Sequence, residues 1–247
     1  MRQNIAIELA RSAAGFLLPS RCLACRHADV DRFFRGGVCR NCWESLPERE
    51  AGRCDRCDEA LPAAPAAGRC GRCLLDPPDF ERLAAAAPYR GSARDILLAF
   101  KFRGADYLGP RLASEMLRRL EPPACGEVVA VPATARAARK RGYHPAGVLA
   151  RAVARGLGLP LSQERLVKTR DTEVQSRVPA ARRAANVRRA FRVKGRPAGR
   201  VLLVDDVATS GATARECARR LVQAGARSVT VWCFARASRA DMAREPR

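Results

Sequence analysis

Eight cysteines fall in four CxxC pairs, Cys22/Cys25, Cys39/Cys42, Cys54/Cys57 and Cys70/Cys73, and this spacing constrains the N-terminal third of the 247-residue chain more than any other feature. A CxxC turn sets two sulfurs on one side of a tight knuckle, and two knuckles together supply the four soft, tetrahedral ligands that zinc prefers. The intervening stretches, 26–38 and 58–69, come close to zinc-ribbon spacing. Two sequential ribbons are the simplest pairing. An interleaved arrangement, first knuckle with third, is the alternative. Residues 1–80 carry 12 basic and 11 acidic side chains and few apolar ones, so this segment is expected to need its metal to fold. Four cysteine ligands leave no position for a water, which makes both expected zinc ions structural. Cys125, Cys217 and Cys233 stand alone in apolar surroundings and read as small core residues.

Pro77 and Pro78 interrupt helix and strand alike, and the texture changes beyond them. Short apolar runs now alternate with helical periodicity. "LAAAAPY", "EVVAVPA", "RVLLVDDV" and "SVTVWCFAR" read as strands. "SARDILLAFKFRG", "PRLASEMLRRL", "AGVLARAVARGLG" and "ATARECARRLVQAG" read as helices, the last two ended by Gly158 and Gly225. The pattern predicts an α/β fold with a mostly parallel sheet flanked by helices, in which ligands bind at the carboxyl ends of strands. The expected division is 1–76 for an N-terminal helix and double ribbon, 80–240 for the α/β domain and 241–247 for a flexible tail. No run of 18 uncharged apolar residues exists, and Glu8 and Arg11 interrupt the first apolar stretch, so a cytoplasmic protein without membrane insertion is expected.

The stretch "VLLVDDVATSGAT", Val201 to Thr213, ends a buried strand on two carboxylates and follows them with small hydroxylic residues and a glycine. Asp205 and Asp206 can accept hydrogen bonds from sugar hydroxyls. The loop leads into a helix whose first N–H groups and dipole favour an anion. Gly211 lets the chain turn closely around a phosphate, and Thr209, Ser210 and Thr213 add hydroxyl donors. Diol acceptors beside a phosphate cradle describe a ribose 5-phosphate pocket.

This stretch resembles the phosphoribosyl pyrophosphate (PRPP) motif of type I phosphoribosyltransferases, and the chain as a whole is similar to the ComF family of competence-associated proteins. The similarity runs through the double ribbon, "LLAFKFRG" around Lys101, "VAVPATARAARKRGYHPA", "KTRDTEVQSRVPAARRAANVRRAF" and the PRPP loop. It implies that Asp205 and Asp206 hold the ribose hydroxyls, that Ala208, Thr209, Ser210, Gly211, Ala212 and Thr213 hold the 5-phosphate, and that Pro132, Ala133 and Thr134 form the pyrophosphate loop. It also places the basic stretch to Arg141 in a mobile flap, with Arg141 itself among the PRPP-binding residues and Mg2+ arriving together with PRPP. Lys101 reads either as a pyrophosphate contact or as a surface lysine at a helix end. Where the family usually reads RGFNQ, this chain has Arg141, Gly142, Tyr143, His144 and Pro145. His144 is expected to be solvated, with an acid–base role as the alternative.

The formal net charge is +21, and most of the excess lies between Arg136 and Arg200, where 18 Lys/Arg face Glu164, Asp171 and Glu173. Such a patch attracts PRPP and a polynucleotide backbone alike. Two function classes follow: an enzyme transferring the phosphoribosyl group of Mg-PRPP, or a non-catalytic PRPP- or single-stranded-DNA-binding competence factor working with other DNA-uptake proteins. No acceptor pocket or general base is identifiable from the residues, and turnover rests on fold-level analogy.

Overall fold

Four nearly apolar runs, β1 (Arg82–Pro88), β2 (Glu127–Ala130), β5 (Arg200–Ala208) and β6 (Ser228–Arg236), pair in parallel in the order β1–β6–β5–β2. The structure is a computed structural model that describes residues 21–27, 37–49, 51–61, 68–134, 139, 141–169 and 187–238. The expected N-terminal helix, most of the expected flap and the C-terminal tail lie outside the described residues.

Strand alternation sends successive side chains to opposite faces, and the two faces acquire different partners. Leu202 and Val204 of β5 join a cluster with Ile96, Leu97 and Phe100 of α3 (Gly91–Phe102), Leu112 and Met116 of α4 (Gly109–Arg119), and Leu149 and Val153 of α5 (Pro145–Leu157). Val201 and Leu203 join the opposite cluster, with Cys217 and Leu221 of α6 (Ala212–Gln223). Each such side chain contributes about 1.5–3 kcal/mol when fully buried. Every strand and helix expected in the α/β region is present. The helix over Pro145–Leu157 stops at Gly158, whose φ of +66° takes the left-handed conformation that glycine adopts without penalty.

Some elements were not anticipated. β3 (Leu166–Lys168) and β4 (Phe191–Val193) pair antiparallel in a separate two-stranded ribbon. Three-residue strands far apart in sequence carry too little alternation to be read. Two short helices, α1 (Arg40–Glu44) and α2 (Gly71–Leu75), start directly after Cys39 and Cys70.

The cysteines pair sequentially. Cys22, Cys25, Cys39 and Cys42 converge in one group, and Cys54, Cys57, Cys70 and Cys73 in another, with the four sulfurs of each within 4.8 Å of one another. The interleaved alternative is therefore excluded. Sulfur–sulfur separations of 3.9 Å for Cys22–Cys42 and Cys25–Cys39, and 3.7 Å for Cys57–Cys70, match the edge of about 3.8 Å expected for a tetrahedron with Zn–S bonds of about 2.3 Å. In each group the third cysteine's N–H donates to the first cysteine's sulfur at 3.3 Å. Burial opposes ionisation of Cys22 and Cys54, but these and neighbouring backbone N–H groups outweigh it and bring both thiols down to about 7. Both sites fit structural zinc.

The division at residues 76–80 would give ribbons and α/β domain separate stabilising centres, but the two share their cores. Cys22, Cys42, Trp43 and Leu46 of the first ribbon belong to the α3–α4–α5 cluster, and Cys54, Cys57 and Cys73 of the second belong to the α6 cluster. Asp58, 2% exposed, fastens the second ribbon to β1. Its Oδ2 accepts the Ala85 N–H at 3.1 Å, while its Oδ1 accepts from Arg49 Nη2 at 2.7 Å and Arg53 Nε at 3.0 Å.

Metal analysis should accordingly find two zinc ions per chain. Chelation should lower the unfolding midpoint of the whole α/β domain, because the ligands sit in its core clusters. A sheet whose near-UV circular dichroism melts at the same temperature with and without chelator would show that the ribbons contribute nothing to it.

Candidate functional site

β2 pairs with β5 only as far as Ala130 opposite Val204, whereas β5 continues beside β6 to Ala208 opposite Arg236. The early end of β2 opens a crevice along the last residues of β5. The two connections also diverge there: the chain after β2 leads to α5 on one face, and the chain after β5 to α6 on the other. This is the geometry of a switch point, where open α/β sheets bind ligands.

Asp205 and Asp206 lie beside that crevice. Asp205 lines a small cleft with Val207, Ala208, Thr209, Gly211, Thr213, Ala214 and, from β6, Val231, so the structure brings one of the two acids together with most of the expected phosphate loop. Gly211 is the N-cap of α6 with φ +74°, which supports the expected close turn. Ser210 Oγ accepts the Ala212 N–H at 3.3 Å and faces, with Ala212, a second groove on the other side of the loop.

Asp206, 8% exposed, engages Lys101 instead. The Lys101 Nζ stands 2.9 Å from Asp206 Oδ1, which also accepts the Val207 N–H at 2.6 Å. Lys101 is not a surface lysine. Burial favours its neutral form, but Asp206 and then Asp205 more than offset this and raise its pKa. Asp205 moves the opposite way from an exposed carboxyl. Burial first, and then the adjacent charge of Asp206, push it up to about 7 against the opposing pull of Lys101.

Pro132, Ala133 and Thr134 follow β2 as expected, and His144 secures them. Its Nε2 lies 2.9 Å from the Val131 carbonyl oxygen and 3.2 Å from the Ala133 nitrogen, so it donates to the first in one tautomer and accepts from the second in the other. Burial lowers its pKa, leaving the ring neutral at pH 7. The expectation of a solvated His144 is thus overturned. A Cβ built on Gly147 would stand 2.7 Å from His144 Nδ1, so glycine there makes room for the ring. The signal in the sequence was His144–Pro145 itself: proline at the first helical position fixes the preceding residue as an N-cap.

Among the described residues, Arg141 engages an aromatic ring of α3. Its guanidinium lies over the Phe102 ring at 5.0 Å, and Tyr143 packs against Phe100 with ring centroids 5.8 Å apart. The Tyr143 hydroxyl is buried and has no hydrogen-bond partner among the described residues.

Comparison with known proteins agrees with this arrangement. A double zinc ribbon domain matches residues 13–74, and a phosphoribosyl transferase domain matches residues 138–246. The chain is 31% identical over 173 residues to the DNA utilization protein YhgH of Escherichia coli (strain K12), covering 66% of this chain and 75% of that protein. The protein of the same name from Salmonella typhi is 30% identical over 171 residues, with the same coverage. The chain belongs to the ComF family. Competence protein F of Haemophilus influenzae is 26% identical over 173 residues, covering 65% of this chain and 75% of that one. Against the ComF pattern RGFNQ, the imidazole of His144 replaces an amide yet makes a polar link to the backbone after β2.

A folded-state pKa of about 7 for Asp205 means that the folded protein holds a proton the unfolded chain, with a pKa of about 4, has released. Stability then falls as pH rises between those values. Asp205→Asn removes this dependence. From pH 6 to pH 8 the parent should lose about 1 kcal/mol relative to the variant in urea titrations. A difference that stays constant across the window would show that Asp205 is ionised throughout.

Proposed function

We propose that this ComF-family protein binds Mg-PRPP in the crevice between β2 and β5 and transfers its phosphoribosyl group, in the service of DNA handling. The observation that carries the reading is the cleft joining Asp205 to Thr209, Gly211 and Thr213 at the N-terminus of α6. Asp205 and Asp206 accept the ribose hydroxyls, Ala208 to Thr213 take the 5-phosphate, and Pro132 to Thr134 take the pyrophosphate. In the free protein Lys101 occupies Asp206. Sugar hydroxyls arriving there take over part of the carboxylate, which frees the ammonium to turn toward the departing pyrophosphate. Mg2+ arriving with the substrate's phosphates would neutralise charge on the leaving group. An incoming nitrogen bonds to C1 of the ribose as the C1–O bond to pyrophosphate breaks, and catalysis is positioning and electrostatic stabilisation, with the two acids favouring positive charge on the sugar ring.

The link to DNA rests on the names of the relatives, a DNA utilization protein and a competence protein, and on the concentration of positive charge between Arg136 and Arg200. Single-stranded DNA is the nucleic-acid partner we propose. Among the described residues no helix is long and apolar enough to cross a membrane.

Isothermal titration with Mg-PRPP tests the site. Asp205→Asn combined with Asp206→Asn should weaken binding about a hundredfold or more, since two charge-assisted hydrogen bonds are lost. Zinc content and the far-UV spectrum should be unchanged. The same variant should hold single-stranded DNA as well as the parent or better, because it removes negative charge beside a basic surface. Unaltered Mg-PRPP affinity would reduce both aspartates to a structural role.

A further inference from the structure

The two zinc ribbons repeat one another in ligand spacing and hydrogen bonding, but they occupy opposite faces of the sheet, and only one reaches the phosphate loop. We infer that the second ribbon forms a wall of the phosphate site, and that Arg72 is a phosphate-binding residue supplied by its zinc knuckle. This inference rests on the reading that Ala208 to Thr213 take a phosphate.

An open groove runs between the second ribbon and α6. Its lining includes Arg72 and Asp76 from the ribbon, Arg189 from the segment before β4, and Ser210, Arg215 and Glu216 from the loop and α6. The acids of this lining that make ion pairs are already matched. Arg215 Nη1 stands 2.8 Å from Asp76 Oδ2, and Glu216 accepts from Arg219 at 2.6 Å, from Arg220 at 3.0 Å and from the Arg189 N–H at 2.8 Å. Asp79, which also lines the groove, makes no ion pair among the described residues, and neither does Arg72.

Arg72 lies over the loop. A Cβ built on Gly211 would find Arg72 Nη2 as its nearest neighbour, at 3.7 Å. The guanidinium therefore stands just outside the turn whose N–H groups face the anion, and it brings a full positive charge where the loop offers only dipoles. A phosphate taken by the loop on its groove side, beside Ser210 and Ala212, would meet this fork of donors as well as the α6 N-terminus.

The knuckle fixes this geometry. Arg72 sits between Cys70 and Cys73, and Cys73 is 1% exposed in the α6 cluster, so metal coordination pins the backbone on both sides of the arginine. The corresponding position of the first ribbon, between Cys39 and Cys42, is Asn41, on the face packed by α3, α4 and α5. Sequence and placement agree that one ribbon is equipped for an anion and the other is not.

The test uses the zinc-loaded full chain and two probes, ribose 5-phosphate and Mg-PRPP, in isothermal titration. Arg72→Ala should weaken both about tenfold with two zinc ions retained, Arg72→Lys should recover part of the loss, and Asn41→Ala should change neither. Cys73→Ser should lose affinity for both probes together with one zinc ion, whereas Cys42→Ser should lose a zinc ion and keep more of the affinity. Equal affinity of the parent and Arg72→Ala for ribose 5-phosphate would overturn the inference, including where single-stranded DNA binding falls, which would instead mark a general basic surface. A parent that binds ribose 5-phosphate but not Mg-PRPP would refute the proposed reaction while leaving Arg72 to be judged by its own variant. A parent that binds neither would refute both.

Discussion

Arg236 is the interaction on which the rest of the structure depends. It ends β6 at 1% exposure, and its guanidinium reaches Glu59 at 2.6 Å, the Cys57 carbonyl at 3.1 Å, the Ala208 carbonyl at 3.0 Å and the Ala237 carbonyl at 3.1 Å. One buried cation thus holds the second zinc knuckle, the sheet and the first residue of the expected phosphate loop in a fixed relation. A planar fork suits this task, since several carbonyls and a carboxylate must be met in set directions. A buried charge without partners costs several kcal/mol, so the site is stable only with all partners in place. The loop therefore depends on the ribbon, and the ribbon on its metal.

Uneven strand lengths make the crevice, and alternation along β5 shapes its charge. Adjacent residues of a strand point to opposite faces, so Asp205 meets the cleft beside α6 while Asp206 meets Lys101 on the α3 side. Burial penalises the ionised form of Asp205, the adjacent charge of Asp206 adds to that, and the cost appears in its raised pKa. A perturbed acid such as Asp205 in a cleft is a signature of function, because packing alone would select an apolar residue there. Hydrogen-bond donors supplied by a ligand would relieve that cost, and Lys101 relieves it in part until they arrive.

The α/β elements, the acids, the glycine turn and the eight cysteines were legible in the sequence because each depends on local pattern: strand and helix periodicity, a strand-to-helix turn, a knuckle spacing. What escaped depends on contacts between distant residues. Lys101 read equally well as a surface residue until α3 was seen to present it to Asp206. His144 looked solvated in a basic stretch, yet the helix start at Pro145 turns its ring onto the backbone of Val131 and Ala133. Arg141 matched a motif and was expected near the phosphates, but it stacks on Phe102. Arg72 carried no signal at all, since an arginine between two ligating cysteines becomes informative only when the knuckle is seen beside Gly211.

The inequality of the two ribbons has an electrostatic side. A zinc ion with four thiolates carries about −2, which by itself would repel a phosphate. In the second ribbon Arg72 stands between the metal group and the loop, and Arg215 is held at the groove by Asp76. Arg236, beneath them, donates to the carbonyl of the ligand Cys57 and to Ala208. The knuckle's negative charge attracts these guanidinia and so helps keep them where the anion arrives. The first ribbon uses cations differently: Arg111 of α4 lies over the Trp43 ring at 5.5 Å, a contact that docks the ribbon on the helices and faces no site. One fold unit, repeated with the same metal chemistry, serves packing on one face of the sheet. On the other it carries positive charge to the loop that the α/β domain leaves open.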